Sequence, residues 1–241
     1  GWAPHGHAVE VRLYAEDPAA GWQPQSGRLT RFDVPGVAAE LEVPASYGVR
    51  LDSGFVAGDE VGTHYDAMLA KVICWAPTRD EALRRLAGTL AKSRIHGLRT
   101  NRDLLVNVLR HEAVVAGDVS TDFFDRHGLD ELATPPAGDL AVALSAFAAA
   151  VACAEKDKAT RTVQPRIPVG WRNVVSAPLL TRFVCENSGS SGGTTADESG
   201  VVDVHWYGGR DGYRVDGFTV LAAVSTGSTD GWTVTLEADG C

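Results

Sequence analysis

Arg50 stands between two apolar residues in the strand-like run Val49-Arg50-Leu51, so its guanidinium projects from the face opposite to theirs. A guanidinium held on a sheet can grip a carboxylate-like oxyanion through two parallel N–H bonds, and it stays charged at any working pH. The same fork also serves in a structural salt bridge to Glu or Asp, and these residues alone leave both uses open. His5 and His7 lie two apart, as ligands on one strand face would, but no third ligand follows at a usable spacing and no metal site is expected. Thr63-His64-Tyr65-Asp66 sets three polar types in a row, which predicts a loop with local hydrogen bonds. Gly208-Gly209-Arg210-Asp211-Gly212 lacks the GK[ST] ending of a phosphate loop and predicts a hairpin. The sequence contains no HExxH or GxGxxG, and no serine or cysteine in a context that marks a nucleophile. Cys74, Cys153, Cys185 and Cys241 form no CxxC or zinc spacing, so buried free thiols are expected.

The elements that must carry Arg50 are strands. Alternation through Ala8-Val9-Glu10-Val11-Arg12-Leu13 puts Val9, Val11 and Leu13 on one face, with Glu10 and Arg12 on the other, able to pair along the strand. Glu16-Asp17-Pro18 stops that strand. Runs at 29–34, 38–43, 48–53 and 71–75, punctuated by Gly and Pro, predict an antiparallel sheet. Thr78 and Glu81 form a capping box. Leu83, Leu86, Ala87, Leu90, Ala91 and Ile95 then recur at helical spacing, with Gly97 as the stop. A second helix is predicted from about 101 to 110 and a short third from 121 to 127. Sheet and helices together give an α+β unit over residues 1–130.

The Pro-containing stretch 131–139 predicts a boundary, and residues 131–241 a second domain. In it, Asp139 is placed as the N-cap of an alanine-rich helix reaching about 158, with Leu140, Leu144, Phe147, Ala148 and Val151 on one stripe. Strand-like runs follow at 179–186, 201–207, 213–215, 218–225 and 232–238, with turns at 210–212 and 229–231 and a polar loop at 187–200.

The chain has 241 residues and a net charge of -9, which disfavours general nucleic-acid binding because phosphate contact needs clustered cations. No apolar run reaches the roughly 20 residues that span a bilayer, and the N-terminus lacks the order of a signal peptide. No nucleic acid and no membrane are expected as partners, and a cytoplasmic protein is expected. Opening on Gly1 with Met68 as its only methionine, the chain reads as a piece of a longer one.

Several runs closely resemble one enzyme family. GHAVEVRLYAEDP at 6–18, GVRLDSG at 48–54, HYDAMLAKVI at 64–73, PTRDEAL at 77–83 and HGLRTNRDLL at 96–105 are similar, in order, to motifs of the C-terminal part of biotin carboxylases, in the form found in α subunits of bacterial acetyl- and propionyl-CoA carboxylases. The resemblance implies that Arg50 is the arginine that contacts bicarbonate and biotin, and that it is both catalytic and cofactor-binding. It implies a parent enzyme that uses ATP and Mg to carboxylate biotin carried on a separate domain, with an upstream ATP-grasp part. The 241 residues alone are then expected to bind no cofactor and to be inactive. It also implies Trp75 and Arg79 near a homodimer contact, although a core Trp and a surface Arg are equally consistent with the residues. From about 139, the helix, Gly170-Trp171-Arg172-Asn173 and the following β runs are similar to the domain joining carboxylase to carboxyltransferase subunits, a helix beside a β-barrel, here partial. That makes Trp171, Arg172 and Asn173 interface candidates toward a carboxyltransferase β subunit. The alternative function is a non-catalytic module docking that subunit.

Overall fold

The computed structural model describes residues 5–135, 137–164, 166–174, 177–184, 201–209, 212–215, 220–228 and 231–238. Contacts divide the chain into two units, Gly1–Pro136 and Ala137–Cys241.

The first unit is built on four strands: β1 (His7–Tyr14), β2 (Val37–Glu40), β3 (Gly48–Ser53) and β4 (Met68–Ala76), in the order β1-β4-β3-β2. β4 lies between β1 and β3 and is antiparallel to both, whereas β2 runs parallel to β3. The expected antiparallel sheet is therefore a mixed one. A period-two pattern marks strands without giving their direction, and here the return through 41–47, which leaves β2 at Leu41 with φ 55°, brings the chain back to start β3 beside the start of β2. Helix α1 (Arg79–Lys92) packs on the sheet as its apolar stripe requires. Its N-cap Thr78 accepts from the Glu81 amide at 3.3 Å. Helix α2 (Arg102–Arg110) packs beside α1, and short helical turns follow at Glu112–Ala116, Phe123–His127 and Leu129–Leu132. Val11, Val49, Leu51, Val72 and Cys74 of the sheet meet Leu83, Leu86, Ala87 and Leu90 of α1 in one apolar core.

Helix α1 stops earlier than its stripe predicts. Ser93 is already extended, Ile95 belongs to a short strand, Arg94–His96, and pairs with Phe32 of Arg31–Asp33. Ile95 thus enters a second apolar cluster, with Leu13, Leu29 and Leu69, instead of the α1 face. Gly97 enforces that path. Its φ is +108°, and a Cβ there would stand 2.1 Å from the Arg28 carbonyl oxygen.

Two of the literal motifs turn out to be ties between elements. Buried Asn101, next to the start of α2, accepts from the Tyr14 amide at 2.9 Å and donates to the Arg12 carbonyl at 3.1 Å, fixing the end of β1. Arg99 donates to the buried carboxylate of Asp17, whose other oxygen caps Ala19. The HGLRTNRDLL and YAEDP runs are thus written for each other.

The second unit holds helix α3 (Asp139–Thr160) and strands β5 (Leu179–Val184), β6 (Val201–Gly209), β7 (Gly212–Val215), β8 (Val220–Ser228) and β9 (Gly231–Ala238). β5, β6 and β7 form an antiparallel sheet, and β8 pairs with β9. Among the described residues these strands make a three-stranded sheet and a hairpin, with no closed ring. The N-cap of α3 is Gly138 rather than Asp139, which instead is the first helical residue, where its carboxylate suits the positive end of the helix. Phe147 and Val151 bury against Val202, Val204 and Trp206, and the Trp206 indole donates to Thr181 Oγ1 at 2.9 Å. Tyr213 donates to Glu155, and burial followed by that carboxylate pushes its phenol far above the ordinary value. The expected loop 187–200, Cys185, Cys241 and the turn residues 210–211 and 229–230 lie outside the described residues.

Candidate functional site on the polar face of the sheet

One face of β1-β4-β3 is spent on the core; the other carries charge. The registers place Glu10, Ile73 and Arg50 in one cross-strand row and Arg12, Lys71 and Asp52 in the next. The alternation that buries Val11, Val72, Val49 and Leu51 therefore gathers five charged side chains on the opposite face. Glu10 and Arg12 pair along β1 at 3.7 Å, as their spacing suggests.

Arg50 is held tightly on this face. Its Nε and Nη2 donate to the two carboxylate oxygens of Asp52, each at 2.8 Å. Residues two apart on a strand point the same way, which makes the contact possible. The two side chains keep 27% and 12% of their exposure, so Arg50 reaches solvent while Asp52 is nearly covered. The bonds from Arg50 hold the Asp52 carboxyl below the usual carboxylate range against the opposing effect of burial, and Lys71 adds to the shift. Asp52 is consequently a carboxylate at neutral pH. The structure thus realises the salt-bridge use of Arg50, and it leaves part of the guanidinium available. Asp52 went unremarked in the sequence, although Arg50-Leu51-Asp52 on a strand is the signal that finds it.

The remaining candidates take no part in the Arg50–Asp52 pair. Trp75, on the same sheet face, packs against Tyr47 with tilted rings, centroids 4.5 Å apart, and donates its indole N–H to the His5 carbonyl at 3.0 Å. Arg79 donates to the Val115 carbonyl at 2.8 Å, tying the start of α1 to the Glu112–Ala116 turn. In the second unit Trp171 is 41% exposed, Arg172 donates to the Ala177 carbonyl at 3.2 Å, and Asn173 is exposed. Gly170 owes its place to crowding: with φ +73°, a Cβ would come within 3.1 Å of the Gly208 backbone. Gly208 and Gly209 pair antiparallel with Tyr213 and Gly212, so the described ends of the glycine-rich run meet as the arms of a hairpin do. Asp66 accepts from the Met68 amide at 2.9 Å, the local bond expected of the 63–66 loop. His5 precedes β1, and among the described residues no group of three His, Cys, Asp or Glu side chains could hold a metal ion. Likewise, among those residues no helix is long and apolar enough to cross a membrane.

Residues 10–126, most of the first unit, match the family model of the biotin carboxylase C-terminal domain. Among relatives, the mitochondrial methylcrotonoyl-CoA carboxylase subunit alpha of Rattus norvegicus is 41% identical over 129 residues, 54% of this chain and 17% of that protein. The biotin carboxylase of Halalkalibacterium halodurans is 38% identical over 122 residues, 51% of this chain and 25% of that protein. A solved structure of the biotin carboxylase subunit of pyruvate carboxylase is 32% identical, covers 55% of this chain and 27% of that one, and gives a TM-score of 0.47. The chain thus matches a quarter or less of the length of these two relatives.

Proposed function

We propose that the first unit supplies one wall of a biotin carboxylase active site, with Arg50 as the residue that touches the reacting groups. The observation that carries this is the anchored guanidinium on the open polar face, inside a domain matching the biotin carboxylase family. In the parent enzyme ATP activates bicarbonate, and the carboxyl group passes to a nitrogen of biotin. Arg50 would hold the bicarbonate oxyanion and the negative charge that develops on the biotin ring, because a preorganised cation stabilises charge where it appears. The other components belong to a longer assembly: an ATP-grasp part, a biotin carrier domain and a carboxyltransferase subunit. The 241 residues by themselves are expected to cleave no ATP. An acyl-CoA carboxylase α subunit is the parent we favour; the Rattus norvegicus relative is named for methylcrotonoyl-CoA and the Halalkalibacterium halodurans one for biotin carboxylase alone, while acetyl- or propionyl-CoA is the narrower reading from the motifs.

The test joins this chain to the ATP-grasp segment of a biotin carboxylase and measures biotin-dependent ATP cleavage. Arg50→Ala is expected to lower turnover by about 100- to 1,000-fold, the usual cost of losing one oxyanion donor. Turnover equal to the parent would overturn the assignment.

A docking role for the second unit is favoured by exposed Trp171 together with Leu180 and Val184, which project from β5 at 52% and 71% exposure. Aromatic side chains of this kind anchor interfaces. The full chain is expected to bind a carboxyltransferase subunit, and Trp171→Ala to weaken that binding at least about 10-fold. Equal binding by the variant in a calorimetric titration would remove Trp171 from the interface.

A further inference from the structure

A guanidinium has five N–H donors along two usable edges. On Arg50 the side edge, Nε and Nη2, is filled by Asp52. What remains is the end edge: both N–H groups of Nη1 and the second of Nη2, two of which point in parallel and match the oxygens of one planar oxyanion. The other half of the arrangement is the anchor. Asp52 sits on β3, its carboxylate faces Arg50, Lys71 comes from the paired position on β4, and the Leu41 backbone N–H adds to what lowers its pKa. A carboxylate that sits two residues along the same strand and takes both bonds of the side edge removes rotamer freedom from the arginine bonded to it.

We infer that Asp52 is the positioning residue for Arg50, clamping the side edge of the guanidinium so that its end edge is presented to the oxyanion before substrate arrives. The inference rests on the assignment of Arg50 as the oxyanion-binding residue and adds a second member to that site. Asp52 touches no reacting atom; it acts through Arg50.

Two measurements test it. In the full chain labelled with ¹⁵N-arginine, the Arg50 Nε–H is expected to exchange slowly with water, and Asp52→Asn to speed that exchange at least about 10-fold, since a charge-assisted bond is replaced by a neutral one. Unaltered exchange would show that no clamp exists. In the chain joined to an ATP-grasp segment, Asp52→Asn is expected to lower kcat for biotin-dependent ATP cleavage about 10- to 100-fold, with KM for ATP unchanged, because misplacement costs turnover rather than nucleotide binding. Asp52→Glu should recover part of the loss, and the double variant Arg50→Ala, Asp52→Asn should be no slower than Arg50→Ala alone. Losses that multiply in the double variant would make Asp52 an independent structural residue and defeat the inference. Normal turnover in Arg50→Ala defeats the reading of Arg50 itself. Slow Arg50→Ala with fast Asp52→Asn defeats only the positioning role.

Discussion

Arg50 and Cys74, the cross-strand partner of its neighbour Val49, have opposite fates, decided by which way the pleat turns them. Arg50 faces the charged side, where Asp52 takes one edge of its fork. Cys74, on the core side at 0% exposure, has its thiol pushed above the ordinary value by burial, which disfavours the reactive thiolate. Cys153, by contrast and against the expected burial, is exposed on α3. A brief pulse of a thiol-alkylating reagent on the native chain should therefore label Cys153 and spare Cys74. Peptide mass spectrometry reads the outcome, and equal labelling of both would contradict the packing of β4. At this scale the sequence identified Arg50 and its two possible uses but overlooked Asp52. Nothing in the pattern required the second use, because a pair two residues apart closes only if the strand is regular and neighbouring strands hold both side chains upright.

Elements were read well where the cause is local. The Thr78 cap of α1, the alternation of β1 and the hairpin glycines of β6 and β7 each depend on a few consecutive residues, although the Glu81 side chain pairs with Arg85 instead of closing the expected capping box. The far end of α1 was misread because Ile95 fits the helical stripe and also fits a strand beside Phe32; tertiary pairing chose the strand. Glycines at the two positions show the difference. Gly97→Ala, with φ +108° and a carbonyl in the way, is expected to cost more than about 1–3 kcal/mol. Gly88→Ala, inside α1 with open space around the new methyl, should gain about 1 kcal/mol. Urea unfolding of the two variants checks both signs, and a loss of stability in Gly88→Ala would mean that the helix is not as described.

Across the molecule each unit draws its apolar core from its own residues: the first from the sheet, α1 and α2, the second from α3, β5, β6 and β7. Leu86→Ala is expected to cost about 2–5 kcal/mol and to be read as lost amide-exchange protection along Met68–Ala76. Phe147→Ala, at 0% exposure in the second core, should cost about 3–5 kcal/mol and be read along Val201–Gly209. The sequence by itself determined most strands and helices and the ordered motifs of the first unit, because caps, periods and motifs are local and survive without neighbours. Tertiary structure alone decided that β2 runs parallel to β3, that Asn101 and Arg99 bind back to β1 and Asp17, and that Arg50 is clamped on one edge. Each of these depends on groups distant in sequence or on a side-chain geometry fixed by adjacent strands, and a one-dimensional pattern carries neither direction nor distance.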